Sequence, residues 1–282
     1  MILSFAPSAG SGAQALGLAL LAMLSYALAA WPSAQGRQLP AWALGLGWLL
    51  HLLLLLLDIS GWGRSEAGAR LGFGPVLSLT VWLVLGVHTI ESRLVPLPAV
   101  RRVLATMGAA VVLLAWAFPG ELRPTLSAWA PLHWLLGVAS YALFGAAVLH
   151  GTMLDAAERR LRVHGGRAVA VGLAALAAPG PMGLPLLRLE RLTFRFVEAG
   201  FVVLTLALAL GVATATAWRW DHKAVFSLLA WAVFAALLAG RAWWGWRGRP
   251  ATRWLYAGAV LLLLAYVGSR FVFEVVLGRP AA

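Results

Sequence analysis

The sequence predicts an all-α membrane protein, a polytopic bundle of about eight transmembrane helices with both termini outside. Three observations carry this. Of the 282 residues, 62% are hydrophobic and 11% charged, against about 25% charged in a soluble domain, which is too little polar material to cover a globule. Uncharged runs of about 20 residues, enough to cross a bilayer, recur along the chain. The basic residues sit in the short connections between those runs, where they set membrane orientation.

The elements follow in order. Spans are expected at 12–31, 40–58, 71–90, 102–118, 128–154, 192–217, 223–240 and 253–273. The first ends in "YALAAWPSAQG" (26–36), which faintly resembles a signal-peptidase site. No basic residue precedes its apolar stretch, and the stretch is long for a signal core, so it reads as the first span. Pro40 opens the second span and Pro131 lies in the first turn of the fifth, where the missing amide costs nothing. Short connections join neighbouring antiparallel helices, as in a compact bundle. The exception is a basic loop at 155–191, containing "AVAVGLAALAAPGPMGLPLL" (168–187). That stretch is uncharged, but Pro179, Pro181 and Pro185 remove amide donors and strand carbonyls that lipid cannot satisfy. It is expected at the interface rather than as a ninth span. The whole chain reads as a single transmembrane domain.

With eight spans, alternate loops face opposite sides. One set of loops holds fourteen basic residues and the other, with both termini, holds seven; Arg195, inside the sixth span, belongs to neither. The richer side is the cytoplasm. This distribution also argues against nucleic acid as a partner, despite the net charge of +12, because the arginines form no soluble basic face. The chain has no cysteine, which excludes disulfides, thiolate metal sites and thiol redox chemistry of its own.

Direction assigns each histidine a depth. His51 lies seven residues before Asp58, roughly 10 Å below the outer face at about 1.5 Å per residue. His133 lies about six residues into the fifth span, roughly 9 Å deep by the same rise. His222 sits at the outer mouth of the seventh span. His88 and His150 approach the cytoplasmic boundary, and His164 falls in the basic loop. An imidazole in such a bundle has three readings. It bonds a neighbouring helix, it relays protons in series with embedded carboxylates, or it ligates a metal or haem between facing helices. Glu198, the one acidic residue well inside a span, is one turn from Arg195, so a local ion pair accounts for it.

The stretch after the sixth span reads Trp218, Trp220, Asp221 and Lys223, a W-x-W-D-x-K pattern, followed by a helix with an internal Trp231. "GWRGR" (245–249) and "LLLLAYVGSR" (261–270) close the chain, and upstream "LHWLLGVASYAL" (132–143) sets His133 seven positions before a Ser-Tyr pair. In these ordered motifs the chain resembles the cytochrome c assembly family over about residues 40–275. It is most similar to the family's shorter, HemX- and YpjD-like branch: the tryptophan-rich stretch is reduced to its tail, His222 and Ala224 replace the family's residues around the lysine, and Ala239 stands where fuller members have a second haem-ligating histidine.

The resemblance implies an integral protein of a bacterial inner membrane that binds or passes haem, of the b type, in cytochrome c assembly, alongside lipid and other assembly subunits. It implies His133 as an iron ligand, and the depth match makes His51 its expected axial partner, with His222 a further candidate. Trp218, Trp220 and Asp221 are the expected outer platform, since indole rings suit a flat macrocycle; an interfacial belt is the other reading of the two tryptophans. Trp243, Trp244 and Trp246 read as an interfacial belt. No nucleophile, carboxylate pair or thiol arrangement for catalysis is legible, so handling rather than bond-making is expected. The rival reading is a regulatory or scaffold membrane protein that binds no cofactor and acts through partners at the basic loop.

Overall fold

The computed structural model describes residues 11–32, 39–60, 69–92, 98–123, 129–164, 186–215, 220–268 and 271–272. They form eight helices: α1 (Ser11–Ala30), α2 (Leu39–Ser60), α3 (Phe73–Ser92), α4 (Pro98–Ala117), α5 (Ala130–His164), α6 (Leu186–Thr214), α7 (His222–Trp244) and α8 (Arg249–Leu263). The all-α bundle expected from composition is what the chain adopts. Seven of these helices hold a segment long and apolar enough to cross a membrane. In α1 the corresponding stretch, Gln14–Ala30, is shorter.

The bundle divides into two halves. In the first, α1 packs on α2 and α4, and α3 packs on α4. Its core draws on Ala19, Ala22, Tyr26 and Ala29 of α1, Leu85 of α3, and Leu104 and Ala105 of α4. Small alanines let these helices approach closely, which matters where lipid offers no hydrophobic drive between helices. The outward residues of α1 and α2 are leucines, among them Leu20, Leu24, Leu28, Leu46, Leu49 and Leu53, as a lipid-facing surface requires. In the second half α5 packs on α6 and α8, and α7 on α8. Phe144 of α5 stacks on Phe234 of α7 with ring centroids 3.7 Å apart. The long α5 also meets α3, and so joins the halves.

Three features depart from the expected layout. First, α5 continues to His164 and α6 begins at Leu186, so helix enters the basic loop from both sides and His164 ends α5. The remaining interfacial stretch, 168–185, lies outside the described residues. Second, Ala69–Leu71 (β1) pairs antiparallel with Glu121–Arg123 (β2), with Arg70 opposite Leu122. Charge and length gave no sign of this pair. It ties the α2–α3 and α4–α5 connections together at one end, which agrees with their assignment to the same side. Third, α8 closes in a π-helical turn, Leu264–Gly268, and the hydroxyl of Tyr141 on α5 donates to the carbonyl of Leu262 just before it.

Polar groups lock the opposite end. Asp155 of α5 accepts from Thr252 Oγ1 at 2.9 Å and from the Tyr256 hydroxyl at 3.0 Å, both on α8. Arg241 of α7 donates to Glu190 of α6 at 2.9 Å, with its guanidinium 3.8 Å above the Phe194 ring. The "GWRGR" motif forms the turn beside these contacts. Gly245 caps α7 at φ 64°, a left-handed conformation that favours glycine, and the Trp246 indole folds back over Gly240, where any side chain would collide with it.

Candidate functional site

His51 lies on α2 and is 1% exposed. Its Nδ1 is 3.1 Å from the Tyr26 hydroxyl of α1, and its Nε2 is 2.7 Å from Ser78 Oγ of α3. The Tyr26 ring is itself clasped between Gly47 and Gly108, positions where a Cβ would come within 2.9 Å of it. One turn away, Trp48 and Trp82 each donate an indole N–H to the other's carbonyl at 3.0 Å, and their rings stack at 4.6 Å. His51 therefore joins three helices through both of its ring nitrogens. For it to oppose His133 across one macrocycle, as expected, one of these two hydrogen bonds would have to break. Its lone pair and its N–H are both engaged by hydroxyls, and its neighbours are α1 and α3 rather than α5.

His133 is different. It lies in the first turns of α5, is only partly buried, and sits against Gly211 of α6, where a Cβ would come within 3.0 Å of its Cε1. Its Nδ1 is 3.1 Å from the carbonyl oxygen of Ala207. A carbonyl can only accept, so Nδ1 carries the proton and Nε2 keeps the lone pair. This is how a carbonyl orients a ligating imidazole and fixes its tautomer. The donor set fits one axial iron ligand.

Several other aromatic and polar residues lie near this end. Trp129 precedes His133 by one turn, since its carbonyl accepts from the His133 amide at 3.0 Å, and it is largely exposed. Charge and motif reading passed over it, although its i−4 spacing from the histidine was a usable signal. Trp220 is largely exposed too. Asp221 is the N-cap of α7, accepting from the Ala224 amide at 2.8 Å, so its carboxylate has a local structural task. His222 opens α7 and is partly buried. Trp218 lies outside the described residues. Trp231 docks on α6, donating to Thr205 Oγ1 at 3.0 Å and stacking on Phe201. Trp243 and Trp244, both exposed, end α7 as an interfacial belt would.

Toward the opposite end of the bundle His88 and His150 are both buried. His150 donates from Nδ1 to the Ala146 carbonyl of its own helix at 2.8 Å, and its ring stacks on Phe196 of α6 at 5.2 Å. Among the described residues no group of three or more histidines and carboxylates is arranged to hold a metal ion.

Comparison with known proteins places these features in context. A family model described as cytochrome C assembly protein matches residues 72–277. The chain is 39% identical over 95 residues to the inner membrane protein YpjD of Escherichia coli strain K12, a match covering 33% of this chain and 36% of that protein. It is 28% identical over 288 residues to the cytochrome c biogenesis protein CcsA of Synechococcus sp. strain WH7803, covering 90% of each. Against CcsA of Parasynechococcus marenigrum strain WH8102 it is 27% identical over 282 residues. The match thus spans about a third of YpjD and nine tenths of the CcsA proteins. No solved structure matches the chain.

Proposed function

The chain belongs to the cytochrome c assembly protein family, and from that premise we propose that it binds or passes haem at the outer end of its second half, in a bacterial inner membrane. One observation supports this above the others: the His133 Nδ1–H is held by the Ala207 carbonyl, so Nε2 remains a lone-pair donor. Haem, when bound, supplies an iron that takes an axial imidazole. What the chain's own residues do is orient and admit. Ala207 sets the tautomer, Gly211 leaves room for the ring, and Trp129 and Trp220 offer flat apolar faces at the same end of the bundle. His222, at the head of α7, is the candidate for a second ligand in place of His51. Haem of the b type and a role beside other assembly subunits are part of this proposal.

The scaffold reading, in which the protein binds no cofactor and works through partners, draws on a specific observation too: His51 is fully engaged as a structural residue. Purification in detergent from a haem-sufficient host separates the two. A Soret band that persists through size exclusion is the expected result. A colourless protein that stays colourless after titration with haemin supports the scaffold.

A further inference from the structure

The outward face of α6 carries an ion pair where the outward faces of α1 and α2 carry leucines. Arg195 Nη1 lies 3.7 Å from Glu198 Oε2, and the two side chains are 76% and 50% exposed. Their depth follows from the neighbouring contacts. Glu190 of α6 is level with Arg241 of α7, and the Trp243 and Trp244 belt lies just beyond Arg241. Glu198 is eight residues further along α6 than Glu190, about 12 Å into the apolar span at 1.5 Å per residue. Arginine can snorkel back to the interface on its long stem. Glutamate cannot. Ionisable residues at such depth ordinarily face a bundle interior or a water-filled cavity, yet this pair, joined only to itself, faces away from its own bundle.

We propose that this face of α6 is the contact between two copies of the chain, joined by reciprocal ion pairs from Arg195 of each copy to Glu198 of the other. The pattern is self-complementary. At 100° per residue, Arg195 and Glu198 fall on opposite sides of the line through Val202, which is itself outward, as is Leu206. Two copies inserted in the same direction are related by a two-fold axis along the membrane normal. That axis brings one flank of the seam against the other flank of its mate, at equal depth. Arg195 then comes within about 4.5 Å in height of the other copy's Glu198, three residues at about 1.5 Å each, a gap its long side chain spans. The pairing occurs twice, in the manner of flanking charges beside a parallel helix seam. Val202 and Leu206 pack along the same seam further into the span.

The absence of native cysteine makes the test clean. Val202→Cys in otherwise unaltered chain, oxidised in native membranes, is expected to give a disulfide-linked band of twice the monomer mass, while Leu24→Cys on the leucine face of α1 gives none. Co-expression then isolates the ion pairs. An Arg195→Glu chain is doubly acidic at the seam and a Glu198→Arg chain doubly basic, and neither keeps the pair within its own helix. With Val202→Cys in both and different tags, the mixed dimer is expected to exceed either homodimer by about tenfold, the ratio for a 1.4 kcal/mol preference. Three results would overturn the proposal: no crosslink at position 202, an equal crosslink at position 24, or random mixing of the acidic and basic chains. A crosslink from position 202 to a different protein, without the dimer band, would overturn it as well.

Discussion

His51 and His133 are expected at nearly the same depth from the sequence, and the two halves of the bundle use them in opposite ways. In the α1–α4 half the imidazole is buried, with a hydroxyl at each nitrogen. In the α5–α8 half the imidazole is partly exposed, with one nitrogen held by a backbone carbonyl. Residue type and expected depth are shared, so neither distinguishes a strut from a ligand. The number of ring nitrogens already engaged does. An imidazole bonded on both sides can accept an iron only after breaking a buried hydrogen bond and orphaning a hydroxyl, a loss of about 1–3 kcal/mol.

The comparison yields graded expectations. The largest is for Tyr26→Ala, which empties the space between Gly47 and Gly108 and removes a His51 partner. It is expected to lower stability by about 3–5 kcal/mol, the range for deleting a buried aromatic ring, measured by thermal unfolding in detergent. Haem absorbance per folded molecule should be unchanged. His51→Leu keeps the volume but leaves the Tyr26 and Ser78 hydroxyls without their partner, and about 1–3 kcal/mol is expected from the same measurement. Asp155→Ala, which breaks the α5–α8 lock to Thr252 and Tyr256, should cost about 1–2 kcal/mol and raise hydrogen exchange at that end of α8. The smallest effect is for Asp221→Ala. Loss of the α7 cap is worth about 1 kcal/mol, and its effect on haem occupancy should be slight if capping is the residue's whole task. A large loss of haem with normal stability would instead return Asp221 to the binding surface.

Much of the architecture was legible in the residues because a span is defined by composition and length alone. All eight helices fall where the uncharged runs predicted them, and Arg195–Glu198 pairs as its spacing implied. Helix ends were less legible where charge and structure part company. Arg159 to Arg162 read as loop, yet they continue α5, since arginine is a good helix former. The β1–β2 pair joins segments 50 residues apart with no alternating pattern to announce it. The site was half legible. His133 was singled out through its place before Ser140–Tyr141, whereas the Ala207 carbonyl that holds its ring is a backbone group, which no side chain reveals. His51 was paired with His133 on depth alone, and depth along a helix says nothing about which helices are neighbours. Its true partners, Tyr26 and Ser78, are placed by the packing of α1 and α3.

The most direct test is the visible spectrum of three purified proteins prepared side by side: wild type, His133→Ala and His51→Leu. A Soret band is expected in wild type and in His51→Leu at equal intensity per folded molecule, and its loss in His133→Ala. A band that survives in His133→Ala but disappears in His51→Leu would contradict this expectation.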